Sequence, residues 1–249
     1  MELTFVFILG ALIGSFLNVV ILRIPRDESV AFPASHCMSC NTPLRAWHNV
    51  PIFSWLFLRG KCAFCGEKIS IQYPLIEFFS ALIFLFSAMK FGFTAQALGV
   101  AITFDLLLAL SAIDYRYKMV PDSLNLGALT VAIFSVTSFA QFGYNVTNAL
   151  LFAGGFSLLR FYVSYIIKKE AMGEADIMIA ATMGALLGVK LGLVAIFLGA
   201  VLALPALLLT RDESDESKEL PFIPFLAMGC WIVLMFDSYV NNYLVGIYG

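Results

Sequence analysis

Residues 177–210 read IMIAATMGALLGVKLGLVAIFLGAVLALPALLLT, a stretch in which Lys190 is the one charged side chain. A helix needs about 17 to 25 mostly apolar residues to cross a bilayer, so this stretch has room for two spans. The whole chain is similar, because 61% of its 249 residues are hydrophobic and only 13% are charged, against about 25% charged in soluble domains. The composition therefore predicts an all-α polytopic membrane protein, and the net charge of −2 argues against a nucleic-acid partner.

Apolar runs elsewhere bring the predicted number of transmembrane helices to about eight. We expect these spans at 3–22, 74–92, 95–113, 123–142, 147–167, 175–189, 191–210 and 222–245. The first run has no basic segment before it and is followed by Arg23 and Arg26, which predicts a retained helix instead of a cleaved signal.

The distribution of Lys and Arg agrees with this arrangement. If the N-terminus lies outside, the predicted outside segments hold only Lys90 and Lys190. The predicted inside segments hold the larger set: Arg23, Arg26, Arg45, Arg59, Lys61, Lys68, Arg116, Lys118, Lys168, Lys169, Arg211 and Lys218. Because Lys and Arg collect in cytoplasmic loops, we expect an outside N-terminus.

The longest predicted cytoplasmic loop divides the chain into three parts. These are a first transmembrane helix at 1–22, a cytoplasmic metal-binding domain at 23–73 and a transmembrane domain at 74–249. A second cytoplasmic loop, 211–219, is rich in charge. It is interpreted as a solvated linker, with attraction of a basic substrate as the alternative.

The loop at 23–73 contains two C-x2-C pairs, formed by Cys37, Cys40, Cys62 and Cys65. Two such knuckles can close a tetrahedral thiolate site, and disulfides are disfavoured in the predicted cytosolic location. Four thiolates leave no open position for catalysis, so we predict structural zinc, with iron as the alternative metal. Metal binding would then supply folding energy to a segment with little core.

Three further residues are of types that can bind metal, but we expect none of them to be a ligand. His36 and His48 flank the cysteines and are expected to be ordinary loop histidines, although either is able to replace a thiolate. Cys230 stands alone in the last predicted span and is expected to be a small apolar packing residue.

Acidic residues in or near spans are costly, and each is a candidate functional residue by default; these are Glu77, Asp105, Asp114, Asp122, Asp176 and Asp237. Asp114 ends the third predicted span and Asp176 opens the sixth at the same membrane face, so the two can meet at one depth. Close carboxylates share a proton, which is the chemistry of aspartic proteases. The spacing leaves three interpretations open: catalysis, ion or proton translocation, and structural hydrogen bonding.

The neighbours of these acids give further expectations. Ala180, Gly184 and Gly188 share a helix face with Asp176 and should let another helix approach closely. Asp122 follows a proline and is expected to cap the fourth span. Asp105 points away from Asp114, and two alternatives stay open for Arg160: a pair with Asp105, or extension to the cytoplasmic surface.

Several short motifs follow one another along the chain in an order that is typical of one protein family. They are GSFLNVV at 14–20, the two C-x2-C pairs, Tyr73-Pro74 with Glu77, Ile113-Asp114, GEAD at 173–176 and PFIPF at 221–225. Over nearly its whole length the chain thereby resembles the type IV prepilin peptidases, the leader peptidase/N-methyltransferases of the bacterial inner membrane.

The resemblance implies a two-step reaction on type IV prepilins or pseudopilins, the substrates of pilus and type II secretion systems. The family removes a basic leader at the cytoplasmic face and methylates the new N-terminus with S-adenosylmethionine. Carried over to this sequence, Asp114 and Asp176 are the catalytic pair, and Glu77 belongs near a site. The four cysteines become zinc ligands of a domain linked to methyl transfer. Four acids of the charged loop would attract the basic leader: Asp212, Glu213, Asp215 and Glu216.

Ala175 departs from the family's pattern, since it replaces the second glycine of G-x-G-D. It is the one feature that favours an inactive, zinc-bearing assembly factor. A proton- or ion-coupled transporter is the other alternative, but the chain shows no repeated halves. No G-x-G-x-x-G motif occurs, so no residues are assigned to S-adenosylmethionine.

Overall fold

The computed structural model describes residues 1–170, 172–210 and 220–248, and all regular structure in these ranges is helical. The helices are α1 Glu2–Arg23, α2 Phe53–Phe57, α3 Gln72–Phe91, α4 Ala95–Tyr117, α5 Asp122–Phe134, α6 Phe139–Ile167, α7 Glu174–Thr210, α8 Ile223–Met235 and α9 Asp237–Tyr248. Extended backbone in these ranges is limited to two isolated bridges, His36 with Pro43 and Lys61 with Lys68. The predicted all-α class is confirmed.

The described residues contain five helices that are long and apolar enough to cross a membrane, namely α1, α3, α4, α6 and α7. Helices α8 and α9 meet at an angle of 80° and count as a sixth span if they are taken together. The spans predicted at 175–189 and 191–210 are joined within α7, which leaves helical geometry at Gly188, where φ is 71°. The span predicted at 123–142 is interrupted, because α5 ends at Phe134 and α6 begins at Phe139.

The chain forms two compact units, Met1–Phe93 and Thr94–Gly249. In the first unit, α1 packs against α3 through glycines that bring the two backbones together. A Cβ on Gly10 would lie 2.8 Å from the Cα of Ala81, and one on Gly14 would lie 2.7 Å from the Cα of Glu77. This is the small-residue packing expected between membrane helices, where hydrophobic burial gives no net drive to association.

Polar side chains add hydrogen bonds to the contact between α1 and α3. The Ser80 hydroxyl donates to the Gly10 carbonyl at 2.7 Å, and the Asn18 amide donates to the Tyr73 carbonyl at 3.1 Å. Gly14 and Asn18 belong to the GSFLNVV motif, so that motif serves the packing of the first unit.

In the second unit, α4, α5, α7 and α8 pack together, and α6 packs on α7. The predicted small-residue face of α7 is confirmed, because α6 approaches it closely. A Cβ on Gly184 would lie 2.7 Å from the Phe152 ring, and one on Gly188 would lie close to the Tyr144 hydroxyl. On another side, Phe104 of α4 meets Trp231 of α8 edge to face at 4.7 Å.

We expect Gly14→Ala to lower the free energy of unfolding by about 1–3 kcal/mol, because the added methyl group would meet backbone and not a movable side chain. Thermal unfolding of the purified protein in detergent measures the effect. Gly155→Ala in α6 is the matched control, since nothing lies within 4 Å of its Cβ position. Equal melting temperatures for the two variants would contradict this packing argument.

Candidate active site and metal centre

Asp114 lies in the last turn of α4, where its side chain is buried. Its Oδ2 accepts the backbone N–H of Ile223 at 3.3 Å, and Ile223 is the first residue of α8. The first N–H groups of a helix have no partner within that helix, so a carboxylate is a suitable acceptor for them. This bond connects Asp114 to the PFIPF motif, a connection for which the sequence gave no signal.

Asp176 is the third residue of α7 and is half-buried. The backbone N–H of Gly173 interacts with its carboxylate, and a Cβ on Gly173 would lie 3.4 Å from Oδ2. The carboxylates of Asp176 and Asp114 are close enough to interact electrostatically, although their residues are 62 positions apart (176 − 114). The catalytic role of the pair stays a prediction at this point.

Asn125 supports the backbone just before Asp176, and sequence reasoning missed it. Its side chain is fully buried in α5, and its Nδ2 donates to the Ala175 carbonyl at 3.0 Å. Asn125 Oδ1 is buried without a hydrogen-bond partner. An amide side chain within an apolar helix was the signal available in the sequence.

Two expectations about the other acids need correction. Asp122 was expected to cap its helix, but Pro121 occupies the cap position and Asp122 is the first, exposed residue of α5. Arg160 pairs with Glu174 at 3.0 Å and with Glu170 at 3.6 Å, and not with the buried Asp105. The nearer partner is the glutamate of the GEAD motif, so Arg160 is connected to the start of α7.

A pocket opens beside the first turn of α7, and its accessible volume is about 250 Å³. Its lining combines one arginine and one glutamate with hydroxyl and apolar side chains: Ser157, Arg160, Phe161, Ser164, Glu170 and Ile177. Ile177 directly follows Asp176, so the pocket adjoins the backbone that carries this carboxylate.

The four predicted metal ligands lie together, with all sulfur atoms within 4.8 Å of one another. The Sγ atoms of Cys37 and Cys65 are 3.8 Å apart. Tetrahedral zinc with Zn–S bonds of about 2.3 Å separates its sulfurs by about 3.8 Å, so the cluster fits such an ion. His36 and His48 lie outside the cluster and contact backbone at Ala34 and Arg45, as expected of loop histidines.

Matching backbone turns form the two knuckles. In the first, the Asn41 N–H donates to the Cys37 carbonyl at 2.9 Å; in the second, the Gly66 N–H donates to the Cys62 carbonyl at 3.0 Å. Asn41 and Gly66 both have positive φ, a conformation that asparagine and glycine tolerate better than other residues.

The electrostatics of the cluster suit a cation. Hydrogen bonding with the side chain and backbone of Thr42 lowers the pKa of Cys40 to about 6. The pKa of the exposed Cys65 is raised to about 12 in spite of the Glu67 backbone N–H, because the other three sulfurs oppose a further negative charge. Four thiolates therefore need a positive ion between them, which a divalent metal supplies.

Glu77 ties the cysteine segment to the helices of the first unit. It is buried in α3, its Oε2 accepts the Ile52 N–H at 2.7 Å, and it also interacts with the Ser15 side chain of α1. Ile52 directly precedes α2 and has φ of 64°, which is rare for a β-branched residue. The hydrogen bond therefore holds the backbone in a conformation that it would not adopt alone.

Comparison with protein-family models shows the family of this chain. Residues 8–91 match the model described as Bacterial Peptidase A24 N-terminal domain, and residues 101–208 match the model of the Type IV leader peptidase family. The chain belongs to the type IV leader peptidase family. The four cysteines and Glu77 fall within the first match, and Asp114 and Asp176 fall within the second.

Named members of the type IV leader peptidase family are similar over most of the chain. The prepilin leader peptidase/N-methyltransferase of Xanthomonas campestris pv. campestris is 34% identical, over 95% of this chain and 92% of that protein. Proteins of the same name from Neisseria gonorrhoeae (34% identical, over 91% and 87%) and Stutzerimonas stutzeri (35%, over 95% and 92%) are equally similar. No solved structure matches the chain.

We expect Glu77→Ala to speed the loss of metal from the cysteine cluster several-fold, because the Ile52 N–H would lose its acceptor, at a cost of about 1–3 kcal/mol. Glu77→Gln should behave like the parent protein, since an amide oxygen still accepts the bond. A chromogenic chelator added to the purified protein measures the rate. The exposed Glu67→Ala is the matched control; equal rates for all three variants would rule out this role for Glu77.

Proposed function

We propose that this chain is a prepilin leader peptidase whose catalytic groups are Asp114 and Asp176, and that it also N-methylates the new N-terminus. The observation that carries the proposal is that a carboxylate of α4 and one of α7 are close enough to interact electrostatically. Each has a backbone N–H beside it, from Ile223 and Gly173 respectively. The names of the family's relatives supply the substrate class.

The pair would act as one titrating unit that holds a single proton. The ionised carboxylate takes a proton from water as the water oxygen attacks the peptide carbonyl carbon, while the protonated carboxyl gives its proton to the carbonyl oxygen. The C–N bond then breaks, and a proton returns to the leaving nitrogen. Asp176 is less buried than Asp114, so water and substrate would reach the pair from its side.

The prepilin would lie with its apolar segment among the spans and its leader on the cytoplasmic side of a bacterial inner membrane. The excess of Lys and Arg in the predicted cytoplasmic loops supports this orientation, with the N-terminus outside. The pocket beside α7 is a suitable recess for residues that flank the scissile bond. The four acids expected to attract the leader lie outside the described residues.

Cys37, Cys40, Cys62 and Cys65 would hold a structural zinc ion that folds the 23–73 segment, because the spacing of the sulfurs and their electrostatics fit one. We assign this segment to methyl transfer, in which S-adenosylmethionine supplies the methyl group to the new N-terminal amine. The transmembrane part from residue 74 would carry the peptidase.

Ala175 is compatible with an active enzyme. It lies within the first turn of α7, where a methyl group causes no backbone strain, and its carbonyl accepts the Asn125 amide. Ala175, the feature that favoured an inactive assembly factor, therefore gives no structural reason for a loss of activity.

We expect Asp114→Asn and Asp176→Asn each to reduce prepilin cleavage by at least about 100-fold, because neither amide can share the proton of the pair. Cleavage of a purified prepilin by the protein in lipid nanodiscs measures the effect. Asp122→Asn, at an exposed position of α5, is the control and should cleave normally. If both pair variants retain cleavage, the aspartate pair is not the peptidase centre.

We expect Cys62→Ser to lose bound zinc and N-methylation while it retains most of its cleavage activity, because the aspartates lie in the other compact unit. Metal analysis and mass spectrometry of the processed pilin measure the two effects. The control Cys230→Ser removes a cysteine of α8 and should keep the metal. If the metal-free protein methylates normally, methyl transfer does not depend on the cysteine cluster.

A further inference from the structure

Helix α2 presents an apolar face that the described protein does not cover. Phe53, Leu56 and Phe57 are spaced i, i+3, i+4 and so share one side of the helix, and they are 59%, 56% and 84% exposed. Large apolar side chains scattered singly on a surface are normal, but adjacent ones on one helix face indicate a contact.

The orientation of α2 is fixed by its opposite side. The Trp55 Nε1–H donates to the Ile69 carbonyl at 3.1 Å, and the Trp55 ring covers Gly60, where a Cβ would lie 2.8 Å from the ring. Trp55 thereby attaches α2 to the hairpin that carries the second cysteine knuckle. The exposed face is consequently a stable feature of the segment.

The position of α2 along the membrane helices follows from Glu77. The Glu77 carboxylate binds the N–H of Ile52, the residue before α2, and lies five residues into the membrane-spanning α3. At 1.5 Å per residue this is about 7.5 Å from the start of that helix. The residue before α2 therefore lies beside the first turns of α3, where the apolar side chains Leu75, Phe78 and Phe79 are also exposed.

Exposed cations follow α2 in the chain and include two on the hairpin that Trp55 contacts. Arg59 follows α2 closely, and Lys61 and Lys68 face each other across the bridge that closes the second knuckle. Apolar side chains on one face with Lys and Arg beside them are the pattern of segments that lie in the membrane interface, where the cations meet anionic headgroups.

We propose that α2 is an interfacial anchor of the cysteine segment. Phe53, Leu56 and Phe57 enter the boundary between headgroups and acyl chains of the bilayer that α1 and α3 span. Arg59, Lys61 and Lys68 lie at the level of the lipid phosphates. The anchor holds the metal centre at the membrane surface, and it stands independently of the proposed catalytic function.

Photo-crosslinking tests the anchor directly. p-Benzoylphenylalanine replaces Phe57 in the full-length protein, which is placed in nanodiscs that contain phosphatidylglycerol, irradiated and analysed by mass spectrometry. We expect lipid adducts at a yield at least about five times that from the same label at Phe64. Phe64 is also exposed, but it lies at the tip of the knuckle beyond the Lys61–Lys68 bridge.

Two results would overturn the proposal. One is an adduct yield at position 57 no higher than at position 64; the other is crosslinking of position 57 to protein, whether the same chain, a second copy or a bound peptide, in place of lipid. A second variant combines Leu56→Asn with Phe57→Asn and carries the label at Phe53. Its retained metal shows that the cysteine segment is folded, and we expect it to lose at least about two thirds of its lipid adducts. An unchanged yield would equally contradict insertion of α2.

Discussion

A buried carboxylate that accepts the backbone N–H at the start of another helix occurs in both units of this protein. In the first unit Glu77 of α3 binds the N–H of Ile52, immediately before α2. In the second unit Asp114 of α4 binds the N–H of Ile223, the first residue of α8. Water is scarce at membrane depth, so helix ends that lie there must find partners within the protein. Each of these acids therefore holds the start of a helix from another part of the chain, α2 in the first unit and α8 in the second.

Neutral polar side chains act in the same way on carbonyl groups. Asn18 and Ser80 bind backbone carbonyls between α1 and α3, and Asn125 binds the carbonyl of Ala175 between α5 and α7. Glycines in the same contacts let the backbones come close enough for these bonds, as Gly14 does beside Glu77. Small residues and backbone-directed hydrogen bonds together replace the hydrophobic drive that lipid removes.

Composition and spacing predicted the parts of the fold that depend on side-chain chemistry. The all-α membrane class follows from the scarcity of charge, and the cysteine cluster follows from two C-x2-C pairs. The helix breaks were less predictable, because Gly188 turns the chain without a polar loop and hydropathy cannot distinguish two spans from one interrupted helix. The partners of Asp114 and Glu77 could not be predicted at all, since they are backbone N–H groups, which every residue except proline has.

The binding of a helix-start N–H by a buried carboxylate also explains why the two acids of the candidate catalytic pair differ in burial. Asp114 is buried and hydrogen-bonded to the start of α8, whereas Asp176 is half-buried in the first turn of α7, beside Gly173 and a pocket. Peptide hydrolysis needs a water molecule and room for an extended substrate, which a fully buried pair would exclude. In the proposed mechanism a pair with one buried and one accessible carboxylate would meet both needs, because the buried member would fix the geometry and the accessible member would face the substrate. In the proposed mechanism, the position of Asp176 at the beginning of its helix, and not at its middle, would give a peptide access to the aspartate pair.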